Sequence, residues 1–109
     1  MNKTIDDIDF EKTGGLVPVI VQDANTKEVL TLAYSNKESL KLAKETGKSW
    51  FYSRSRNKLW MKGEESGNTQ VIKEILVDCD SDAIIYLVDP SGPACHTGEK
   101  VCFHNNLKD

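Results

Sequence analysis

The sequence lacks any long apolar run, and its apolar stretches all fall short of the roughly 18 residues that a membrane-spanning helix needs. It is also poor in cysteine, and its three cysteines in 109 residues are an odd number that cannot all be paired in disulfides within one chain. The chain opens on polar, acidic residues rather than an apolar leader, so a disulfide framework is disfavoured. We therefore expect a protein without membrane spans, with reduced thiols and a cytoplasmic location.

An excess of basic residues is missing too. Lysine and arginine number 14 against 17 acidic residues, which gives a net charge of -3 and argues against general binding of nucleic acid. A length of 109 residues with 39% hydrophobic content suits one domain with a modest core. We predict a single domain over residues 1–109, in which residues 1–15 form a partly ordered lead-in without an element or a function.

Periodicity predicts a mainly β fold of the α+β class, with an antiparallel or mixed sheet and one or two short helices. Residues 16–22 and 29–34 are rich in Val, Ile and Leu and read as an antiparallel pair. Ser35 and Glu38 have the spacing of a capping box, which predicts a helix over residues 36–46 that ends at Gly47.

Further strands are predicted in the second half of the chain. Two aromatic runs around Trp50 and Trp60 flank a basic turn, and the tryptophans suit packing across a strand pair. Residues 69–77 alternate in polarity, and residues 83–88 form a short apolar run that reads as a buried strand.

The last quarter of the chain is dense in metal-ligand chemistry. It contains all three cysteines in the sequences DCDSD at 78–82 and GPACHTGEKVC at 92–102. Thiolates select zinc, whereas carboxylates suit magnesium or calcium, so two different metals are plausible. If residues 78–82 form a strand, Asp78, Asp80 and Asp82 share one face and Cys79 points to the other.

Two other interpretations of these motifs are possible. A free cysteine commonly packs as a small core residue, and aspartate-rich triplets are common at turns, so one such residue alone indicates little. An EF-hand is rejected because Ala83 occupies the sixth position, where that loop needs glycine. Taken jointly, the residues favour a metal centre.

A straight helix cannot bring Cys95 and Cys102 to one zinc ion. Seven helical residues rise about 10.5 Å, whereas two sulfurs on one zinc lie under about 5 Å apart. The segment must fold back, and Gly98 is the predicted hinge.

Four of the 14 basic residues fall within nine positions of the aromatic hairpin. Such a cluster suits phosphate, because arginine offers a planar fork and lysine a mobile charge, although a solvated hairpin tip is an equal alternative. The polar loop at 64–68 adds possible backbone donors. The predicted substrate- and phosphate-binding residues are Arg54, Arg56, Lys58, Trp60, Lys62 and Ser66.

Together these motifs closely resemble those of the phosphoribosyl-AMP cyclohydrolases. The matching segments are SRSR at 53–56, LW at 59–60, KGE at 62–64, DCDSD, GPACHTG and CF at 102–103. The resemblance runs from about residue 16 to residue 104. It implies a cytoplasmic homodimer with active sites at its interface, acting on a small nucleotide, N1-(5-phosphoribosyl)-AMP, whose adenine ring it opens by hydrolysis in histidine biosynthesis.

The resemblance also implies two metal ions per subunit. Zinc would be held by Cys79, Cys95 and Cys102, with Cys79 coming from the partner subunit. Magnesium would be held by Asp78, Asp80 and Asp82. Three protein ligands leave zinc one open position, which is typical of a catalytic site.

Three thiolate ligands lower the pKa of a zinc-bound water molecule less than three neutral imidazoles do, so an additional general base is expected. His96, next to Cys95, is the candidate catalytic base, and a histidine that only packs in the loop is an equal alternative.

Two other functions are compatible with these residues. A small zinc-containing β domain could stack single-stranded RNA on its Trp- and Arg-bearing hairpin. Three thiols without metal could instead form a redox switch. Net acidity and the separate aspartate set count against RNA binding.

Overall fold

A computed structural model describes residues 2–108 of the chain. Its elements are β1 (Val17–Asp23), β2 (Val29–Ser35), α1 (Lys37–Thr46), β3 (Trp50–Ser53), β4 (Lys58–Met61), β5 (Gln70–Val77) and β6 (Ile84–Pro90). The prediction of a mainly β fold with a short helix is confirmed. Over the part of the chain described, no helix has the length and apolar character to cross a bilayer.

Four strands form one mixed sheet in the order β2-β1-β6-β5. β1 runs antiparallel to β2, as predicted, and parallel to β6, which in turn runs antiparallel to β5. A bulge interrupts the β5–β6 pairing between Ile72 and Glu74. The hairpin of β3 and β4 forms a separate two-stranded sheet.

One face of the large sheet forms the core, because alternate residues of its central strands point to the same side. Val19 lies beside Ile84 and Val21 beside Tyr86 in the parallel pair, and all four are buried. α1 and the β3–β4 hairpin cover this face, α1 through Leu40 and Ala43 and the hairpin through Phe51.

An aromatic contact joins the hairpin to the sheet. The ring centroid of Phe51 lies 4.9 Å from that of Trp60 and 5.7 Å from that of Tyr86. The Tyr86 hydroxyl donates a 3.1 Å hydrogen bond to the carbonyl of Trp50. Trp60 thus pairs across the hairpin with Phe51, while Trp50 lies opposite Met61.

The helix cap lies one residue later than predicted. Asn36 Oδ1 accepts the Ser39 N–H at 2.8 Å, and Ser39 Oγ accepts the Asn36 N–H at 2.9 Å. Ser35 is instead buried at the end of β2 and shares a hydrogen bond with Ser39. The helix ends as expected at Gly47, whose φ of 71° is readily adopted by glycine.

The prediction of an N-terminal lead-in without elements is wrong. Two 3-10 turns, Ile5–Asp7 and Glu11–Thr13, precede β1. Ile8, between them, is buried in the core cluster, and that burial anchors the segment to the domain.

The second face of the sheet carries an apolar row that crosses all four strands. Ile20 lies beside Leu32 on one side and Ile85 on the other, and Ile85 lies beside Leu76. Leu32 and Leu76 are 44% and 43% exposed, so residues 2–108 leave much of this row in contact with solvent.

Candidate functional site

The loop after β6, called here the cysteine loop (residues 94–102), folds back on itself as predicted. Cys95 N–H donates to the Glu99 carbonyl at 3.2 Å, and Gly98 N–H donates to the Cys95 carbonyl at 3.0 Å. Gly98 has a φ of +95°, a backbone conformation that residues with a side chain rarely adopt. The predicted hinge is therefore confirmed.

This fold brings the two thiols of the loop together. Thr97 Oγ1 donates a 3.0 Å hydrogen bond to Cys95 Sγ, and the Cys102 side chain is near enough to make a small contribution to lowering the pKa of Cys95. The hydrogen bonds from Thr97 are the main reason that the pKa of Cys95 falls to about 6. Cys95 is then largely a thiolate at neutral pH, which is the form that binds metals.

His104 is a neighbour that the sequence analysis missed. Its Nε2 lies 3.8 Å from Cys95 Sγ. The available signal was an imidazole two residues after Cys102, a residue type that commonly binds metals. It adds a nitrogen beside Cys95.

Cys79 lies away from that pair. It is exposed in the turn between β5 and β6, at one side of the sheet, whereas Cys102 N–H donates to the Leu30 carbonyl in β2, the opposite edge strand. Strands lie about 4.8 Å apart, so two to three strand spacings separate the two positions. Residues 2–108 of one chain accordingly contain no group of three metal-binding side chains.

The prediction that Asp78, Asp80 and Asp82 share one face of a strand is wrong. β5 ends at Val77 and β6 begins at Ile84, and Asp78 Oδ1 accepts the N–H groups of Asp82 and Ala83 at 3.0 and 3.3 Å. A side chain that satisfies the backbone of a turn in this way competes with strand pairing. We call residues 78–83 the acidic turn.

The N-terminal segment holds the acidic turn in place. Lys3 Nζ donates to the carbonyls of Asp78 and Cys79, both at 3.1 Å, and to Ser81 Oγ at 2.6 Å. The Lys12 ammonium lies 2.8 Å from the Asp82 carboxylate. Its hydrogen bond is the main reason that the pKa of Asp82 lies below its usual value. The segment therefore has a structural role, in addition to the burial of Ile8.

A cleft of about 320 Å³ separates the cysteine loop from the β3–β4 hairpin. His96 lines it from the loop side. The hairpin and the loop that follows supply three basic side chains and Trp60, together with the carboxylates of Glu64 and Glu65. The cleft therefore contains five of the six predicted substrate residues, which are Arg56, Lys58, Trp60, Lys62 and Ser66.

Arg54 lies outside this cleft. Its guanidinium stacks over Tyr34, 5.1 Å from the ring centroid. It lines an adjoining depression of about 430 Å³ that shares Arg56 and Trp60 with the cleft. The two basic depressions are thus contiguous around Trp60.

Comparison with known proteins identifies the family. A family model described as phosphoribosyl-AMP cyclohydrolase matches residues 31–104. The chain belongs to this family. The phosphoribosyl-AMP cyclohydrolase of Nitrosopumilus maritimus is 91% identical over 99% of this chain and 100% of its own length. That of Geobacter sulfurreducens is 56% identical over 94% of this chain and 82% of its own length.

Another relative combines the cyclohydrolase-like region with further sequence. The histidine biosynthesis bifunctional protein HisIE of Bacillus subtilis is 61% identical over 93% of this chain, which covers 48% of that protein. Membership of the cyclohydrolase family confirms the predicted enzyme class, a hydrolase of histidine biosynthesis. It also decides in favour of an enzyme over the RNA-binding and redox-switch alternatives.

The pKa of Cys95 leads to a test in metal-free protein that keeps Cys95 as its one thiol. The rate of alkylation should rise with pH through a midpoint near 6, because only the thiolate reacts. Thr97→Val should move the midpoint upward, since it removes the hydroxyl donor that favours the charged form. A midpoint near 8.5 in both proteins would contradict this account.

Proposed function

We propose that this cyclohydrolase works as a homodimer with two metal ions per subunit. Water adds to C6 of the purine of N1-(5-phosphoribosyl)-AMP, the bond between N1 and C6 breaks, and N1 takes a proton. C6 then carries the oxygen and its amino group as a carboxamide. The observation that carries the proposal is the cysteine loop, which folds back between Cys95 and Cys102 and lines the cleft with His96.

The thiols suit zinc as the first metal. Cys95 and Cys102 lie in one loop, and the lowered pKa of Cys95 favours its ligating form. We assign Cys95 and Cys102 of one subunit and Cys79 of the partner subunit as ligands. When bound, zinc supplies a Lewis acid that lowers the pKa of a water molecule.

One wall of the cleft suits substrate binding and the other suits proton transfer. Arg56, Lys58 and Lys62 bring positive charge to a substrate that carries two phosphates, and arginine binds phosphate through a planar fork. Trp60 offers a ring against which a purine can stack. His96, on the opposite wall, is placed to take a proton from water or deliver one to N1.

The acidic turn is the proposed magnesium site. Asp78, Asp80 and Asp82 supply hard oxygen atoms within five residues, which suits magnesium. Asp82 already pairs with Lys12, and Asp78 already accepts two backbone N–H groups. A magnesium ion bound through the same Asp82 oxygen would have to displace the Lys12 ammonium.

A second copy of the chain supplies the missing thiol in this proposal. The acidic turn with Cys79 and the cysteine loop lie towards opposite edges of the sheet, and the apolar row runs between them. Two copies packed through the row about a two-fold axis could bring each Cys79 to the other copy's loop, forming two equivalent sites. Covering Leu32 and Leu76 would also remove exposed apolar surface from water.

We propose the cytoplasm as the compartment. The three cysteines are free, and a zinc site built on thiolates needs them reduced.

Turnover of phosphoribosyl-AMP tests the function directly, followed by the absorbance change on ring opening. Chelators should abolish activity, and zinc should restore it only with magnesium present, because the two ligand sets differ in softness. Full turnover by protein shown by elemental analysis to be metal-free would contradict the metal assignment but not the family activity.

Substitution of Arg56 tests the cleft. Arg56→Ala should raise KM and lower kcat/KM by about 10- to 150-fold, the equivalent of roughly 1.5–3 kcal/mol for a charged hydrogen bond. Lys41→Ala, on the exposed side of α1, is the matched control and should behave as wild type. An unchanged KM in a zinc-loaded, folded Arg56→Ala enzyme would show that phosphate binds elsewhere.

Subunit complementation tests the shared site. Cys79→Ser and Cys102→Ser should each be inactive, whereas unfolding and refolding them together should recover roughly one quarter of wild-type activity. In the mixed dimer one site collects both substitutions and the other keeps all three thiols. About half the dimers are mixed with random pairing, and each then has one intact site of two.

The apolar row supplies the control for that experiment. Leu32→Asp should dissociate the copies in sedimentation equilibrium and abolish complementation, because it places a charge on the proposed interface. Leu107→Asp changes a side chain that is 99% exposed and should do neither. Well-folded mixed dimers that stay inactive and poor in zinc would refute the shared site.

A further inference from the structure

The cysteine loop is fastened to the β1–β2 turn by a cluster of three charges, Asp23, Glu28 and Lys100, called here the loop clamp. We propose that Lys100 is a positioning residue, which holds Cys95 and Cys102 ready for one metal ion. This inference rests on the proposed function, in which the two thiols bind zinc.

Asp23 is the fixed end of the clamp. It is only 4% exposed, and its Oδ1 accepts the N–H groups of Asn25 and Thr26 at 2.8 and 3.1 Å. The backbone N–H of Ala24 donates to the carbonyl of Val88 in β6 at 2.8 Å. The carboxylate is therefore held in a turn that is itself tied to the central sheet.

Lys100 is the end of the clamp that belongs to the cysteine loop, and it lies between the two cysteines in sequence. Its ammonium lies 3.4 Å from Asp23 Oδ2 and also contacts Glu28 Oε1. Its carbonyl accepts the Ala94 N–H at 3.1 Å, which closes the base of the loop. Two residues later, Cys102 N–H bonds to Leu30 of β2 at 2.7 Å.

These contacts control where the thiols lie. Ala94 and Val101 pack on the core at the two ends of the loop, but residues 96–99 between them are exposed. Near Cys102 the loop is held by Val101, by the clamp and by the Cys102 hydrogen bond. Without Lys100, Asp23 and Glu28 would face each other without a countercharge at the point where the loop is attached. The metal-free loop would then be less ordered. It would lose more conformational freedom on binding a metal ion, so its affinity for the metal would fall.

A direct electrostatic effect of Lys100 on the thiolates is the competing explanation. Its ammonium is already engaged by two carboxylates, so the clamp as a whole carries a net charge of -1 when all three groups are ionised. The clamp therefore does not present a free positive charge to the thiols. Its effect is through position.

The test is the zinc dissociation constant of the full-length protein, measured by competition with a chromophoric chelator. Lys100→Met keeps the length of the side chain without its charge and should weaken zinc binding by roughly 10- to 100-fold, the range for partners that orient metal ligands. Lys100→Arg keeps the ion pairs and should restore most of the affinity. Lys41→Met is the matched control and should bind zinc like wild type.

Two further variants separate position from charge. Glu28→Gln should weaken zinc binding in the wild-type background but have little added effect in Lys100→Met, because the two residues act as one unit. A direct electrostatic effect of Lys100 on the thiolates predicts the opposite result for Glu28→Gln, which is tighter zinc binding. Removing the negative charge of Glu28 would then strengthen the attraction of the thiolates to Lys100. Cobalt spectra should keep the same thiolate charge-transfer intensity per bound ion in every variant.

The outcomes distinguish this inference from the function on which it rests. Wild-type affinity in a folded Lys100→Met protein would overturn the positioning role and leave the metal site standing. A weakened Lys100→Arg protein that matches Lys100→Met would overturn it as well. Absence of zinc binding in the wild-type protein would overturn both proposals, while turnover of phosphoribosyl-AMP would still report the enzyme class.

Discussion

The parallel pairing of β1 with β6 is the constraint on which the site depends. It places β6 in the middle of the sheet, with β5 on one side and β1 and then β2 on the other. The acidic turn enters β6 beside β5, whereas the cysteine loop leaves β6 and reaches β2. One strand thus connects both sets of proposed metal ligands and also keeps Cys79 apart from Cys95 and Cys102.

The same strand joins the proposed substrate cleft to the core. Tyr86 of β6 is fully buried, packs on Phe51 and donates a hydrogen bond to the backbone of Trp50. Phe51 in turn packs on Trp60, which lines the cleft. The wall that faces His96 is therefore supported by side chains that also stabilise the fold, so changes in the core should alter substrate binding as well as stability.

Features set by local chemistry were predictable from the sequence. Gly47 and Gly98 are needed where the backbone turns with positive φ, and the strands follow from apolar alternation. Features set by competition between local partners or by distant contacts were not. Asn36 rather than Ser35 caps the helix because Ser35 is buried at the end of β2. Residues 78–82 form a turn rather than the predicted strand because the Asp78 side chain accepts backbone N–H groups there. Likewise, no pattern near residues 1–15 reveals that Lys3 and Lys12 meet residues distant in sequence.

The bulge in β5 has a consequence for assembly. The outer edge of β5 pairs briefly with Lys48 through Val71, and beyond Ile72 the bulge presents Lys73 and Glu74. A distorted, charged edge is a poor template for adding another strand. Edge-to-edge growth of copies into a fibre is thus discouraged, whereas the proposed two-fold packing through the apolar face closes after two chains.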